Sequence, residues 1–215
     1  MRERPVLFNG AMVRAILAGN KTQTRRVVKP WVPRLGIDAV PADVSYLPDF
    51  TCYRATCPYG QPGDRLWVRE STHRRPMLNL LTGEPLADEY DGGAYTADGA
   101  DVLTPKGFDL AWWYSRKSCP SIHMPRFACR LLLEVTGVRV ERLQDISEAD
   151  AQGEGCAPAW LDADDNQTVH AHRQPTYRQG FARLWREING PSSWDANPWV
   201  WVVEFCRADT DKKEM

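Results

Sequence analysis

The sequence predicts an α+β fold, a small β-barrel decorated with helices. Three observations lead there. Several short β-rich runs are separated by turn residues, only two or three stretches carry a helical apolar repeat, and no regular strand–helix–strand alternation appears. With 215 residues, the chain is long enough for one sizeable domain. That domain is expected over 1–207, with a long loop-rich insertion at about 74–122 and a charged tail at 208–215.

Each element has a local reason. Asn9 is placed to cap a helix over 9–18, where Met12, Val13, Ile16 and Leu17 recur at helical spacing and Gly19 ends it. A strand follows from Thr22 to Val28, stopped by Pro30 and Pro33. Residues 30–62 are rich in Pro and aromatics and read as a meander. Gly63 to Glu70 reads as a turn followed by a strand, with Leu66 and Val68 on one face and Trp67 and Arg69 on the other. Residues 74–122 hold many Gly, Pro and Asp, with a hairpin expected around Gly92–Tyr95. Cys129–Val140 is the longest β-rich run, kinked or bulged at Gly137. Ser147 caps a short helix to Gln152 that leads into Gly153-Glu154-Gly155. Thr176 and Gln179 fit a capping box, and Tyr177, Phe181, Leu184, Trp185 and Ile188 form the buried stripe of the helix behind it. Asn189-Gly190-Pro191 ends that helix, and Trp199–Phe205 closes the fold as a strand.

Composition narrows the partners. A net charge of −1 argues against a protein that coats nucleic acid non-specifically, but charge is unevenly spread. The first thirty residues hold seven Lys or Arg against one Glu, a local anion-attracting face. No apolar run approaches a membrane span and no signal-peptide core is present, so the expectation is a cytoplasmic protein with its six cysteines reduced. Cys52-x4-Cys57, and His170-x-His172 near Asp162, Asp164 and Asp165, raise a metal reading. The remaining cysteines lack the regular spacing of a zinc site, so neither metal nor cofactor is expected.

The stretch richest in chemistry is Gly19-Asn20-Lys21-Thr22-Gln23-Thr24-Arg25-Arg26. Strand alternation places Thr22, Thr24 and Arg26 on one face and Lys21, Gln23 and Arg25 on the other. Lys21 and Thr24 converge only if Lys21 sits in the turn after Gly19-Asn20, from which its stem can curl onto the Thr24 face.

Gly19-x-Lys21-x-x-Thr24-x-Arg26 resembles the signature of the ASCH domain, a β-barrel relative of the PUA RNA-binding module. A Glu often stands in that signature where this chain has Thr24. The small bacterial ASCH enzymes that hydrolyse N(4)-acetylcytidine carry a Thr there, after the same Lys. The likeness extends to Gly63–Val68, to Ile146–Ala151 leading into Glu154, and to Trp201–Phe205. With the insertion and Ile122-His123-Met124-Pro125-Arg126, the pattern is similar to larger phage and prophage ASCH proteins.

The resemblance implies a metal-independent amidohydrolase acting on N(4)-acylated cytidine or a related modified nucleoside. Thr24 would be its nucleophile, Lys21 the base and Glu154 the proton donor or orienting group. Lys21 must then be neutral part of the time; neighbouring Arg25 and Arg26 favour that, and an ionised Glu154 opposes it. The roles coexist if Glu154 is protonated or the pair shares one proton. Arg26 or a backbone N–H is a candidate for the oxyanion, Trp67 for stacking on the base, Arg25 and Arg69 for substrate binding, and Ser71 or neighbouring polar groups for the base edge. Two rivals stand beside this. One is a non-catalytic module binding RNA or a nucleotide through Arg25, Arg26, Arg69 and Trp67. The other is RNA cleavage using His123 and Lys21.

Overall fold

A computed structural model describes residues 1–30, 44–49, 52–160 and 174–208. In chain order the elements are β1 (Glu3–Leu7), α1 (Gly10–Leu17), β2 (Gln23–Val27), β3 (Val44–Tyr46), β4 (Cys52–Arg54), β5 (Arg65–Arg69), β6 (Thr72–Leu78), β7 (Pro85–Tyr95), β8 (Asp101–Val102), β9 (Ser118–Cys119), β10 (Leu132–Arg142), α2 (Glu148–Gly153), α3 (Tyr177–Asn189) and β11 (Trp199–Arg207). Strands dominate and helices are few, so the fold is mixed α+β. Among the described residues no closed barrel forms. No described helix is long and apolar enough to cross a membrane.

The chain divides into two compact units. The first takes residues up to Ala18, then Arg65–Leu133, and the chain from Arg207; the second takes Gly19–Asp64 and Glu134–Cys206. In the first unit β1 lies parallel to β5, with Val6 opposite Val68. Both are sealed from solvent, as the alternation of β5 requires: Leu66 and Val68 are buried while Trp67 and Arg69 are half-buried. Asn9 caps α1 as expected, its side chain accepting from the Met12 amide at 2.9 Å.

The segment expected to be loop-rich is instead a four-stranded sheet in the order β8-β7-β6-β9. Its pattern is hard to read because the β6–β7 pairing shifts register around Arg75, Pro76 and Leu78. Gly93 sits where any Cβ would strike the Ala111 carbonyl oxygen at 2.6 Å, so here glycine marks a close backbone approach inside the sheet. A core of Tyr95, Val102, Ala111, Met124 and Ala128 lies beneath. Beside it the buried Glu70 takes two hydrogen bonds from Arg130, whose guanidinium also grips Asp98 and lies 3.8 Å from the Tyr95 ring centroid.

In the second unit β2 pairs antiparallel with β11, setting Thr24 opposite Val203, Arg25 opposite Val202 and Arg26 opposite Trp201. The caps of α2 and α3 form as the sequence suggests. Ser147 Oγ accepts from the Asp150 amide, and Thr176 Oγ1 from the Gln179 amide. The reciprocal half of the α3 box is missing, since Gln179 Oε1 is buried with no partner among the described residues. Phe181 and Trp185 pack with Leu143, Ile146, Ala151, Trp194, Val200 and Val202. Ile188, expected in the stripe, is instead 49% exposed, next to the C-terminal end of α3, whose buried residues end at Trp185. Gly180 lets α3 press onto the chain before it; a Cβ there would meet the Ala157 carbonyl oxygen at 2.0 Å.

Candidate functional site

The site lies wholly in the second unit and begins where the sequence suggested. Gly19 adopts φ 76, a left-handed turn residue, and ends α1. Lys21 follows before β2 starts and forms an isolated antiparallel bridge with Glu154. The Thr22 amide donates to the Gly153 carbonyl at 2.7 Å, pinning the C-terminal end of α2 against this turn. The chain thereby joins residues 133 apart: Lys21 Nζ donates to Glu154 Oε2 at 2.7 Å. It also donates to the carbonyls of Glu154 and Gln23, each at 2.9 Å. An ammonium has three protons, and these acceptors match them.

The pair is dry. Lys21 is 3% exposed and Glu154 6%. Glu154 Oε1 takes a bond from Arg25 Nη1 at 3.1 Å, so the carboxylate lies between two cations. Arg25 also holds Glu141, through Nε at 3.0 Å and Nη2 at 2.6 Å, and its Nη2 lies 3.4 Å from Asp150. Its guanidinium sits 5.8 Å from the Phe181 ring centroid. Gln23 Nε2 donates to both the carboxylate and the carbonyl of Asp150 at 2.9 Å. Arg139 continues the chain of charges to Glu141, Asp150 and Glu204.

These contacts set the electrostatics. Burial pushes the Asp150 carboxyl up, but the hydrogen bonds from Gln23 and Ser147 and the charges of Arg25 and Arg139 outweigh it; the net shift is downward. Burial likewise works against the Arg139 charge, and the bond to Glu141, with the Glu141, Asp150 and Glu204 charges, reverses that to a net rise. The Cys156 thiol is raised to about 11, mainly by burial and then by the Glu154 charge. Such a thiol is a poor nucleophile near neutrality. Cys156 borders a cleft of about 600 Å³ whose walls include Gly19, Asn20, Gly153, Gly155 and Tyr177.

The sequence-derived residues separate into groups. Lys21, Arg25 and Glu154 are brought together. Thr24 is buried at 2% exposure and leaves β2 on the face opposite Gln23 and Arg25, beside Arg26 and across from Val203. The Arg25 side chain is buried and held by Glu141, Asp150 and Glu154. Trp67 and Arg69 belong to the first unit. The Trp67 ring already carries two guanidinium groups, Arg69 at 5.3 Å and Arg126 at 6.0 Å, and Arg69 donates to the Ile122 carbonyl. His123, also in the first unit, stacks on Tyr114 at 5.4 Å, and Ser71 is exposed. His170, His172, Asp162, Asp164 and Asp165 lie outside the described residues. Among the described residues, which include Cys52 and Cys57, no group of three potential metal ligands gathers.

Sequence reasoning missed Gln23, Glu141 and Asp150 as members of the network. Alternation already placed Gln23 with Lys21 and Arg25, so that residue was within reach. Glu141 and Asp150 become neighbours only once β10 and α2 are docked. No family model, curated protein or solved structure matches this chain.

Proposed function

We propose that the protein is a metal-independent amidohydrolase of the ASCH type, with a PUA-like fold, that removes the acyl group from N(4)-acylated cytidine or a related pyrimidine nucleoside. The observation that carries the reading is the Lys21–Glu154 pair, a 2.7 Å contact between oppositely charged groups sealed in a polar pocket. Buried ion pairs add little stability over an apolar core, so a sealed pair held this closely calls for a functional reason.

The chemistry follows from the contact. A proton passes from Lys21 Nζ to Glu154 Oε2 along their hydrogen bond, leaving a neutral amine. That amine accepts the Thr24 Oγ1 proton as the oxygen attacks the acyl carbonyl carbon. The tetrahedral intermediate collapses when Glu154 gives its proton to the departing N(4) nitrogen, releasing cytidine and leaving an ester on Thr24. The Lys21 proton passes to Glu154 once more, and water gives a proton to the neutral Lys21 amine as it attacks that ester. Glu154 returns its proton to Thr24 Oγ1 as the ester bond breaks, freeing the carboxylic acid and restoring the hydroxyl. Arg25 Nη1 holds the other carboxyl oxygen, Oε1, at 3.1 Å and so fixes Glu154 against Lys21. Lys21 stands outside β2, so the alternation that turns Thr24 away from Arg25 does not bind its stem. In the substrate complex its amine must come within about 3 Å of Thr24 Oγ1.

Cytidine released from N(4)-acetylcytidine, followed chromatographically, tests the reading. Turnover that disappears in Lys21→Ala supports it. No turnover across a panel of acylated pyrimidines, or undiminished activity in Lys21→Ala, rejects it. A second reading, binding of RNA or a nucleotide without chemistry, is favoured by the three acceptors that hold the Lys21 ammonium as a clamp between β2 and α2. Salt-dependent RNA affinity without hydrolysis would select it.

A further inference from the structure

We infer that a second cleft, lined by Val27, Val28, Lys29, Pro58, Tyr59 and Trp201, binds the base of a pyrimidine nucleotide and that Lys29 receives its phosphate. The choice of a pyrimidine rests on the hydrolase reading; the cleft itself is an independent observation. Its volume is about 340 Å³, inside the range of about 300–1,000 Å³ typical of small-molecule sites. Apart from Thr56 its surroundings are apolar and aromatic, with a single cation in the lining among the described residues. That composition suits a planar ring carrying an anionic substituent.

Strand register connects this cleft to the chemistry. Trp201 stands directly opposite Arg26, and Val203 directly opposite Thr24. Opposed residues of an antiparallel pair share a face, so Trp201, Arg26 and Thr24 project to the same side of the sheet. Arg25 projects to the other side, where Asp150 of α2 and Phe181 of α3 lie against it. The Trp201 ring is held from moving: it is 7% exposed, its backbone lies within β11, and Tyr53 packs on it at 5.6 Å between centroids. A rigid ring beside an open cleft is a ready stacking surface, and Tyr59, half-buried, offers a second. Trp201 therefore fits the stacking role that the sequence suggested for Trp67. It lies in the same unit as Thr24, whereas Trp67 lies in the other unit beneath two guanidinium groups.

Calorimetric titration with cytidine 5′-monophosphate, cytidine and ribose 5-phosphate tests the assignment on the intact chain. The nucleotide is expected to bind more tightly than the nucleoside, and the sugar phosphate not at all. Tyr59→Ala weakens both ligands at least about tenfold, the scale of one lost stacking partner. Lys29→Ala brings nucleotide and nucleoside to within about twofold of each other by removing the phosphate contact. Trp201→Leu abolishes binding; because Trp201 is buried, Tyr59→Ala and Lys29→Ala decide the assignment if that protein fails to fold. Binding that follows this pattern without hydrolysis keeps the cleft and discards the hydrolase. Hydrolysis unchanged by Tyr59→Ala and Lys29→Ala, or ligand affinity unmoved by both, overturns the cleft and leaves the hydrolase standing.

Discussion

Replacing Lys21 by Met and Glu154 by Leu, singly and together, reads the energetic coupling at the heart of the site. Lys21→Met leaves Glu154 Oε2 and two carbonyls, those of Gln23 and Glu154, without the donor that served them. Glu154→Leu leaves a dry ammonium with two carbonyl acceptors, and removes the 3.1 Å contact of Arg25 Nη1. Breaking one partner of a buried pair costs about 3–5 kcal/mol, because the survivor keeps its desolvation penalty without compensation. Arg25 retains Glu141 and Asp150 in either variant, so collapse of the whole network is not expected. In the double variant no unpaired charge remains between the two positions. Its loss should fall at least about 2 kcal/mol short of the sum of the singles, within the range that contacting residues show. Urea denaturation of all four proteins, compared at equal m-values, supplies the cycle. Losses that add to within about 0.5 kcal/mol would mean the two groups do not sense one another, and their contact would then carry no functional weight.

Other outcomes follow from single contacts. Gly180→Ala should destabilise by about 1–3 kcal/mol despite better helix propensity, since its Cβ would meet a backbone oxygen at 2.0 Å. Gly137→Ala should change thermal stability by less than about 1 kcal/mol, because the nearest atom, at 2.5 Å, is the end of the flexible Glu204 side chain. Cys156, with its thiol near 11, should alkylate far more slowly at pH 8 than the exposed Cys206, with a rate still climbing about tenfold per pH unit up to about pH 10; peptide mapping after timed labelling reads both. Asp150 has a depressed folded-state value, so it contributes stability that is present above the ordinary carboxylate range and lost as pH falls through its folded value. Asp150→Asn should therefore flatten the acid limb of the stability curve below about pH 4, followed by denaturant midpoints across a pH series. A Leu80→Ser, Leu81→Ser double variant should keep its stability within about 0.5 kcal/mol by urea denaturation, as both side chains are almost fully exposed at the β6–β7 turn.

Much of the fold was legible because its signals are local. Asn9, Ser147 and Thr176 each cap the helix they precede, and Leu66 and Val68 alternate with Trp67 and Arg69 as period-two patterning requires. The turn at Gly19-Asn20 released Lys21 from strand alternation, and Glu154 met it across 133 positions. Where pattern and structure part, non-local effects intervene. The β6–β9 sheet was hidden by register shifts and by glycines that serve close packing rather than loops. β1 is short, and only one of its residues, Val6, is fully buried. Arg25 reads as a surface cation until β10 and α2 deliver Glu141 and Asp150 to it. No local signal tells that Trp201 rather than Trp67 lies on the strand paired with that of Thr24.

Intact-mass spectrometry of the protein mixed with N(4)-acetylcytidine and quenched within the first turnovers tests the hydrolytic mechanism most directly. Attack by Thr24 requires one acetyl group per chain, mapped to that residue, that vanishes as substrate is exhausted and never forms in Lys21→Ala. An enzyme that liberates cytidine while Thr24 stays unmodified, or that labels equally without Lys21, would contradict it.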